Sequence, residues 1–259
     1  MFRLVEDPSS APSYGGNILF GKVLPVDVLR SSSAIDLEGL YTHFSVADGS
    51  SADDRAFTHH QIADFLQVVE HLNERGAAPR LLHAANSAGA LGYPEARLGM
   101  ARIGLALYGY LPEGWLVSAL EEKRLRLEPA LTLRAHVVAV RSVDVGARPS
   151  YGRRRVVDHR ATIVTVPFGY ADGYPRRLFE AGARVLINGR RYPLAGSVTM
   201  DQILIDCGGD AVRPGDDVVL IGRQGDEEIT ADEWADWGGT ITWEILCGVG
   251  ARVPRVLVD

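Results

Sequence analysis

The apolar positions of the chain follow two patterns, and the first covers residues 37–105. Within residues 57–75 the apolar side chains recur every three or four positions, which predicts a helix that Gly76 ends. Apolar runs predicted as strands lie on both sides of it, at residues 37–43, 81–84 and 100–105. Strand, helix and strand at these intervals indicate βαβ units with a parallel sheet.

After residue 125 the apolar pattern consists of short β-rich runs that Gly, Pro, Asp and Asn separate. Many short strands with such punctuation are typical of an all-β domain. One helix is predicted over residues 230–237, because Thr230 can cap it and Glu233 follows three residues later. The runs that predict strands are residues 127–143, 161–166, 183–187, 202–207, 217–221 and 250–258.

Composition narrows the possible partners. The 259 residues carry a net charge of −6 and a pI near 5.7, so neither nucleic acid nor an anionic membrane is an expected partner. The only cysteines, Cys207 and Cys247, lie in apolar runs, which favours a reducing compartment and hence the cytoplasm. No His, Cys or carboxylate cluster has the spacing of a metal site, and the neighbours His59 and His60 point apart on a helix. The sequence predicts no metal.

A glycine-rich turn at residues 166–176 is the first candidate for chemistry. A β-branched run leads into it, and Gly169 and Gly173 allow backbone angles that hold Tyr170 on a tight corner. A phenol becomes a base only where a neighbouring cation favours the phenolate. Two interpretations of Tyr170 stay open. It acts as an acid or base, or it belongs to an aromatic turn that caps a β-barrel.

Polar side chains also follow the predicted strands of the first part. They are His43, Asn86 with Ser87, and Arg102 with Gly104. Parallel sheets bind ligands beyond the carboxyl ends of their strands, so these residues are candidates for a binding site.

Seven motifs in order make the chain similar to one family. From about Leu37 to Val258 the chain resembles the alanine racemases, which combine a β/α-barrel domain with a β domain. The motifs are residues 40–48 (LYTHFSVAD), 85–88 (ANSA), 100–109 (MARIGLALYG), 149–152 (PSYG), 169–173 (GYADG), 196–202 (GSVTMDQ) and 252–255 (RVPR).

The resemblance implies an α/β plus all-β fold. We expect residues 1–24 to be an atypical and poorly ordered leader, and residues 25–125 to be the C-terminal part of a TIM-like (β/α) barrel that binds the cofactor. Residues 126–259 would form the β-barrel-like C-terminal domain. The activity implied is the interconversion of L-alanine and D-alanine for peptidoglycan.

The resemblance also implies pyridoxal 5'-phosphate as the cofactor. Asn86, Ser87, Gly104 and Leu105 would bind it, the last three at its phosphate. Arg102 would face the pyridine nitrogen. Because a guanidinium does not give up its proton, the ring nitrogen stays unprotonated, which favours proton exchange at Cα over deeper carbanion chemistry.

Four further positions complete the site that the resemblance implies. Tyr170 would be the base on one face of the substrate, with His43 and Arg102 as the other catalytic residues. Met200 and Asp201 would line the site of the substrate carboxylate. In a homodimer, Tyr170 and Met200 would serve the partner's site.

The sequence departs from the family pattern at two points. The motif with the lysine that forms the Schiff base is missing, and the only lysines, Lys22 and Lys123, lie in other contexts. Trp243 stands where we expect a tyrosine that reaches the cofactor phosphate. We therefore expect an N-terminally truncated racemase with impaired activity. The alternatives are a racemase of another amino acid on the same fold, and a non-catalytic fragment.

Overall fold

The computed structural model describes residues 36–112, 115–122 and 124–258. The chain divides into two compact units between Ala130 and Leu131. The predicted leader and both lysines, Lys22 and Lys123, lie outside the described residues.

The first unit is built on a parallel pair of strands. Leu40 lies opposite Leu82 in this pair, and a long helix connects the two strands, which confirms the predicted βαβ arrangement. The described strands of this unit form an open sheet of two. Its elements are β1 (Gly39–Tyr41), α1 (Ala52–Glu74), β2 (Leu81–His83), α2 (Ser87–Gly92), α3 (Trp115–Glu122) and the 3-10 helices Pro94–Ala96 and Leu105–Tyr108.

Helix α1 buries the apolar stripe that its spacing predicts, including Phe65 and Leu72. It begins five residues earlier than predicted, because Ser51 and Asp54 form a capping box. The Ser51 hydroxyl accepts a hydrogen bond from the Asp54 backbone N–H at 3.0 Å, while the Asp54 carboxylate accepts one from the Ser51 N–H at 3.3 Å. No apolar side chain of the helix is buried before Ile62, so the apolar period could not reveal the first turn.

The strand predicted over residues 100–105 is wrong. This segment runs beside the end of β2, where the Gly99 N–H donates to Leu82 O at 3.0 Å and the Arg102 N–H to Ala85 O at 2.9 Å. At Gly104 the backbone leaves the β region (φ −110°, ψ −93°) and enters a 3-10 helix. The segment places Arg102 at the carboxyl end of the parallel pair.

The second unit is mainly β, as its sequence predicts. One sheet has the order β10-β9-β6-β7 with β3 also paired to β9, and the other has the order β4-β5-β8. All the named strand pairs of this unit are antiparallel. The strands are β3 (Leu133–His136), β4 (Ala139–Val143), β5 (Ala161–Val166), β6 (Arg184–Ile187), β7 (Arg190–Pro193), β8 (Ile203–Asp206), β9 (Asp217–Gln224) and β10 (Glu227–Ile229).

Two α-helices complete the second unit, α4 (Ala231–Gly238) and α5 (Thr242–Gly248), together with the 3-10 helices Tyr151–Arg153 and Arg176–Phe179. The predicted cap of α4 is confirmed, since the Thr230 hydroxyl accepts a hydrogen bond from the Glu233 N–H at 3.0 Å. The strand predicted over residues 250–258 is wrong. Its backbone is held instead by Arg255, which donates to carbonyl oxygens of residues 249, 250 and 253.

The hairpin of β6 and β7 was not predicted, although its turn carries a sequence signal. Asn188 and Gly189 both adopt positive φ angles, 51° and 74°. Asn-Gly is the preferred pair for such a two-residue turn. No described helix is both long enough and apolar enough to cross a membrane.

Candidate functional site

Arg102 is the centre of a hydrogen-bond network in the first unit. Its Nη1 lies 2.8 Å from His83 Nδ1, and its Nη2 lies 3.1 Å from His43 Nδ1. Nη2 also donates to the backbone oxygens of Thr42 at 2.9 Å and Ala84 at 3.3 Å. The network joins the carboxyl ends of β1 and β2, so the structure brings the predicted residues Arg102 and His43 together.

Two aromatic rings extend this network, and sequence reasoning missed both. The rings of Tyr41 and His83 stack with centroids 5.0 Å apart and planes at 8°. The Arg102 guanidinium carbon lies 5.3 Å from the centre of the Tyr41 ring. Tyr41 and His83 are the last residues of β1 and β2, the position where parallel strands present ligand-binding groups.

The two histidines of the network are neutral near pH 7. Partial burial, followed by the positive charge of Arg102, lowers the pKa of His43 and of His83. Because a guanidinium only donates hydrogen bonds, each Nδ1 must be the acceptor. The remaining ring proton of each histidine is therefore on Nε2.

This lowered pKa predicts that acid destabilises the first unit. The unfolded chain binds protons at His43 and His83 below about pH 6.5, whereas the folded chain binds them only at lower pH, so the free energy of unfolding falls as the pH falls through this range. We expect the double substitution His43→Asn with His83→Asn to flatten this slope, since an amide keeps an acceptor for Arg102 but does not titrate. Urea unfolding between about pH 7 and pH 5 measures the slope, with His136→Asn as the control. Equal slopes in all three proteins would contradict the prediction.

Ser87 and Asn86 organise a second group of donors in this unit. Ser87 is 6 % exposed, and its Oγ accepts hydrogen bonds from the N–H groups of Gly104 at 3.0 Å and Ala106 at 3.3 Å. Asn86 caps α2 through a bond of 2.9 Å from the Gly89 N–H. Since both lone pairs of the Ser87 hydroxyl are occupied, its hydrogen is left to donate.

Several backbone donors lie beside this hydroxyl without a protein acceptor. In the described part of the chain, the N–H groups of Ser87 and Ala88, in the first turn of α2, donate to no protein atom. The same holds for the Leu105 N–H at the start of its 3-10 helix. Unpaired N–H groups at helix starts attract anions. These donors suit a phosphate.

In the second unit, the Tyr170 turn packs on the turn that carries Met200. The N–H of Tyr170 donates to Thr199 O and the N–H of Ala171 to Met200 O, both at 3.0 Å. A Cβ on Gly169 would lie 2.3 Å from Met200 O, so only glycine permits this approach. The structure thus places Tyr170 and Met200 on adjoining turns.

The Met200 turn exposes two backbone donors. The carbonyl of Met200 is paired with Ala171, but the N–H groups of Met200 and Asp201 donate to no acceptor among the described residues. The Asp201 carboxylate is paired with Arg252, at 2.8 Å from its Nη2. A carboxylate ligand could bind these N–H groups because the negative charge of Asp201 is compensated.

A second exposed tyrosine, Tyr151, lies on a strained segment of this unit. Ser150, Gly152 and Arg153 all have positive φ angles, 66°, 74° and 49°. The Ser150 hydroxyl holds the segment by donating to Ser197 O at 2.6 Å. Such strain in non-glycine residues concentrates at functional sites. Tyr151 lies in the motif at residues 149–152, but the sequence alone indicates no role for its side chain.

The remaining predictions concern Trp243 and metals. Trp243 lies half-buried on α5, and its role at a phosphate stays a prediction. Among the described residues, no group of three His, Cys, Asp or Glu side chains could hold a metal ion.

The chain thus combines an α/β unit, which carries donors for an anion, with a β unit, which carries exposed tyrosines. Comparison with known protein families identifies the family that has these two domains. The family model described as "Alanine racemase, N-terminal domain" matches residues 25–112, and "Alanine racemase, C-terminal domain" matches residues 130–257. The chain belongs to the alanine racemase family.

Curated relatives and solved structures agree with this assignment. The alanine racemase of Carboxydothermus hydrogenoformans is 44 % identical over 225 residues, which are 86 % of this chain and 59 % of the relative. That of Desulforamulus reducens is 40 % identical over 227 residues, 87 % of this chain and 58 % of the relative. The chain therefore spans less than two thirds of the length of these relatives.

Two solved structures illustrate the shared fold. Alanine racemase from Streptomyces coelicolor has a TM-score of 0.80 and 33 % identity, covering 93 % of this chain and 63 % of that one. Alanine racemase from Bacillus anthracis with bound L-Ala-P has a TM-score of 0.77 and 39 % identity, covering 86 % of this chain and 55 % of that one.

Proposed function

We propose that this chain contributes to the pyridoxal-phosphate-dependent interconversion of L-alanine and D-alanine, which supplies D-alanine for peptidoglycan. The observation that carries the proposal is the pair of polar groups at the carboxyl ends of β1 and β2. The Arg102 network and the Ser87 donors suit the two polar ends of this cofactor, a pyridine nitrogen and a phosphate. We also propose that the first unit is part of a (β/α) barrel, as in the family.

The donor set around Ser87 fits the cofactor phosphate. The Ser87 hydroxyl and the N–H groups of Leu105 and Ala88 would donate to its oxygens. The Gly104 N–H already donates to Ser87 Oγ, so its part would be to orient that hydroxyl. Asn86 would act in the same indirect way, by capping the helix that begins at Ser87.

Arg102 would hold the pyridine nitrogen of the cofactor. Its guanidinium keeps its proton, so it can donate to this nitrogen but cannot protonate it. His43 and His83 would fix the plane of the guanidinium from the other side. When bound, pyridoxal phosphate supplies the electron-withdrawing group that makes the Cα–H bond of an amino acid acidic.

A tyrosine of the second unit would take the Cα proton. Tyr170 is the base that the resemblance implies, but the strained backbone beside Tyr151 favours Tyr151 as the base. Tyr170 would then line the substrate site beside Met200. The N–H groups of Met200 and Asp201 would bind the substrate carboxylate. In a homodimer these residues would serve the partner's site.

Binding of the cofactor by the full chain tests this proposal. We expect pyridoxal phosphate to bind saturably, and Ser87→Ala to weaken binding by about 10- to 100-fold, because a hydrogen bond to a charged group is lost. Pyridoxal, which lacks the phosphate, should bind wild type and variant equally. Tryptophan fluorescence or equilibrium dialysis measures these affinities, and Ser45→Ala is the control.

Two results would contradict the proposal. One is equal affinity of the wild-type chain for pyridoxal phosphate and pyridoxal, and the other is an unchanged affinity for pyridoxal phosphate in Ser87→Ala.

Two earlier predictions remain untested, the cytoplasmic location and the contact of Trp243 with the cofactor phosphate.

A further inference from the structure

Arg252 connects the two turns of the second unit that carry the proposed substrate contacts. Its Nη2 lies 2.8 Å from Asp201 Oδ1, and its Nε lies 3.3 Å from Asp172 Oδ1. The other carboxylate oxygen of Asp172 accepts a hydrogen bond from the Gly169 N–H at 2.9 Å. One guanidinium therefore links the Met200–Asp201 turn with the turn at residues 169–173.

The backbone around Arg252 is itself fixed to the Tyr170 turn. The Gly250 N–H donates to Asp172 O at 2.9 Å, and Arg255 donates to Val249 O at 2.8 Å. A Cβ on Gly173 would lie 2.3 Å from the backbone oxygen of Gly248. Arg252 thus projects from an anchored segment, although its own side chain is more than half exposed.

Asp172 makes this linkage more than a surface ion pair. Asp172 is 8 % exposed, and its two oxygens hold different partners, the Arg252 guanidinium and the Gly169 N–H. A nearly buried carboxylate that loses its cation must recruit water or move. Movement of Asp172 would release Gly169 and with it Tyr170.

We propose that Arg252 is a positioning residue, whose bridge between Asp172 and Asp201 sets the placement of Tyr170 relative to the free N–H groups of the Met200 turn. The inference rests on the proposed function for its catalytic consequence. The charge of Arg252 has a second effect, because a substrate carboxylate at these N–H groups would otherwise meet the negative charge of Asp201. A lysine cannot replace Arg252, since its single ammonium does not present the planar fork that reaches both carboxylates.

Hydrogen exchange in the full chain tests whether Arg252 fixes the two turns. We expect Arg252→Gln to speed the exchange of amides 169–174 and 199–202 by about tenfold, while strands β5 and β9 exchange as in wild type. Arg134→Gln is the matched control, because Arg134 is equally exposed and pairs with Asp217 at 3.3 Å in the same unit. It should leave both turns unchanged. Unchanged exchange of both turns in Arg252→Gln would overturn the proposal.

The catalytic part is tested by the kinetics of alanine conversion with added pyridoxal phosphate. We expect Arg252→Gln to raise KM for alanine by about tenfold and to change kcat by less than about threefold, because the residue orients a binding turn and does not transfer a proton. Arg252→Lys should recover less than half of the loss. A lower kcat with unchanged KM would contradict the positioning role.

The two proposals fail in different ways. A wild-type chain without alanine chemistry would contradict the proposed function, while the hydrogen exchange of the two turns would still decide whether Arg252 fixes them.

If Arg252→Gln does not fold, Asp201→Asn replaces it, since this variant removes one of the two ion pairs of Arg252 and leaves Asp172 paired. Asp201→Asn should speed hydrogen exchange at residues 199–202 and leave residues 169–174 unchanged. Equally faster exchange in both turns would contradict the assignment of one ion pair of Arg252 to each turn.

Discussion

Tyr151→Phe is expected to slow exchange of the alanine Cα proton by about 100-fold or more, the range that a positioned general base contributes. The phenol oxygen is the only group that this substitution removes, and the ring that fills the space stays. Tyr151 is 73 % exposed and lies between residues with positive φ angles, so the fold presents it to solvent at a cost in backbone strain. A side chain held in this way without a role would gain stability by relaxing.

Tyr170→Phe is the matched control for this prediction. Tyr170 is also exposed, at 45 %, but its turn is held by ordinary hydrogen bonds to Thr199 and Met200. We expect less than about a tenfold effect on the exchange rate, because a residue that lines the site changes binding more than proton transfer. The reverse order of the two variants would make Tyr170 the base, as the sequence predicts, and would reject Tyr151.

Arg102→Ala is expected to lower the free energy of unfolding of the first unit by about 3 kcal/mol, since four acceptors lose their donor and three of these contacts are partly buried. The acceptors are the Nδ1 atoms of His43 and His83 and the backbone oxygens of Thr42 and Ala84. Water can reach part of this group, which keeps the cost below the sum for four fully buried acceptors. Urea unfolding followed by circular dichroism measures the change.

Arg97→Ala is the control for Arg102→Ala. Arg97 makes one side-chain hydrogen bond in the same unit, to Ala90 O at 2.8 Å, so its loss should cost about 1 kcal/mol. Equal losses in the two variants would show that the Arg102 network contributes no more than one surface hydrogen bond. The account of a preorganised site in the first unit would then be wrong.

Periodic features of the fold could be predicted from the sequence. The apolar stripe of α1 and the β-branched run of β5 are long enough for their period to identify them. The parallel pairing of β1 with β2 followed from the spacing of strand, helix and strand. The predicted strands at residues 100–105 and 250–258 are wrong for different reasons. The first segment follows β2 through single backbone hydrogen bonds and turns into a 3-10 helix at Gly104. The backbone of the second is held by the Arg255 side chain.

The candidate site could be predicted only in part, for a physical reason. Motifs pointed to Arg102, His43 and Ser87, which lie after strand ends or at a helix start. The partners Tyr41 and His83 depend on the register of β1 against β2, which stacks their rings and which no local pattern states. The strain at Tyr151 is likewise a property of backbone angles, and only the structure displays it.

The most direct test of the account is exchange of the alanine Cα proton in D₂O, followed by NMR with the purified full chain and pyridoxal phosphate. We expect exchange faster than with free pyridoxal phosphate, and its loss in both Arg102→Ala and Tyr151→Phe. Accumulation of D-alanine from L-alanine would show that a proton is also returned to the opposite face of Cα. Exchange no faster than with free pyridoxal phosphate would contradict the proposal that this chain contributes to the interconversion of L-alanine and D-alanine.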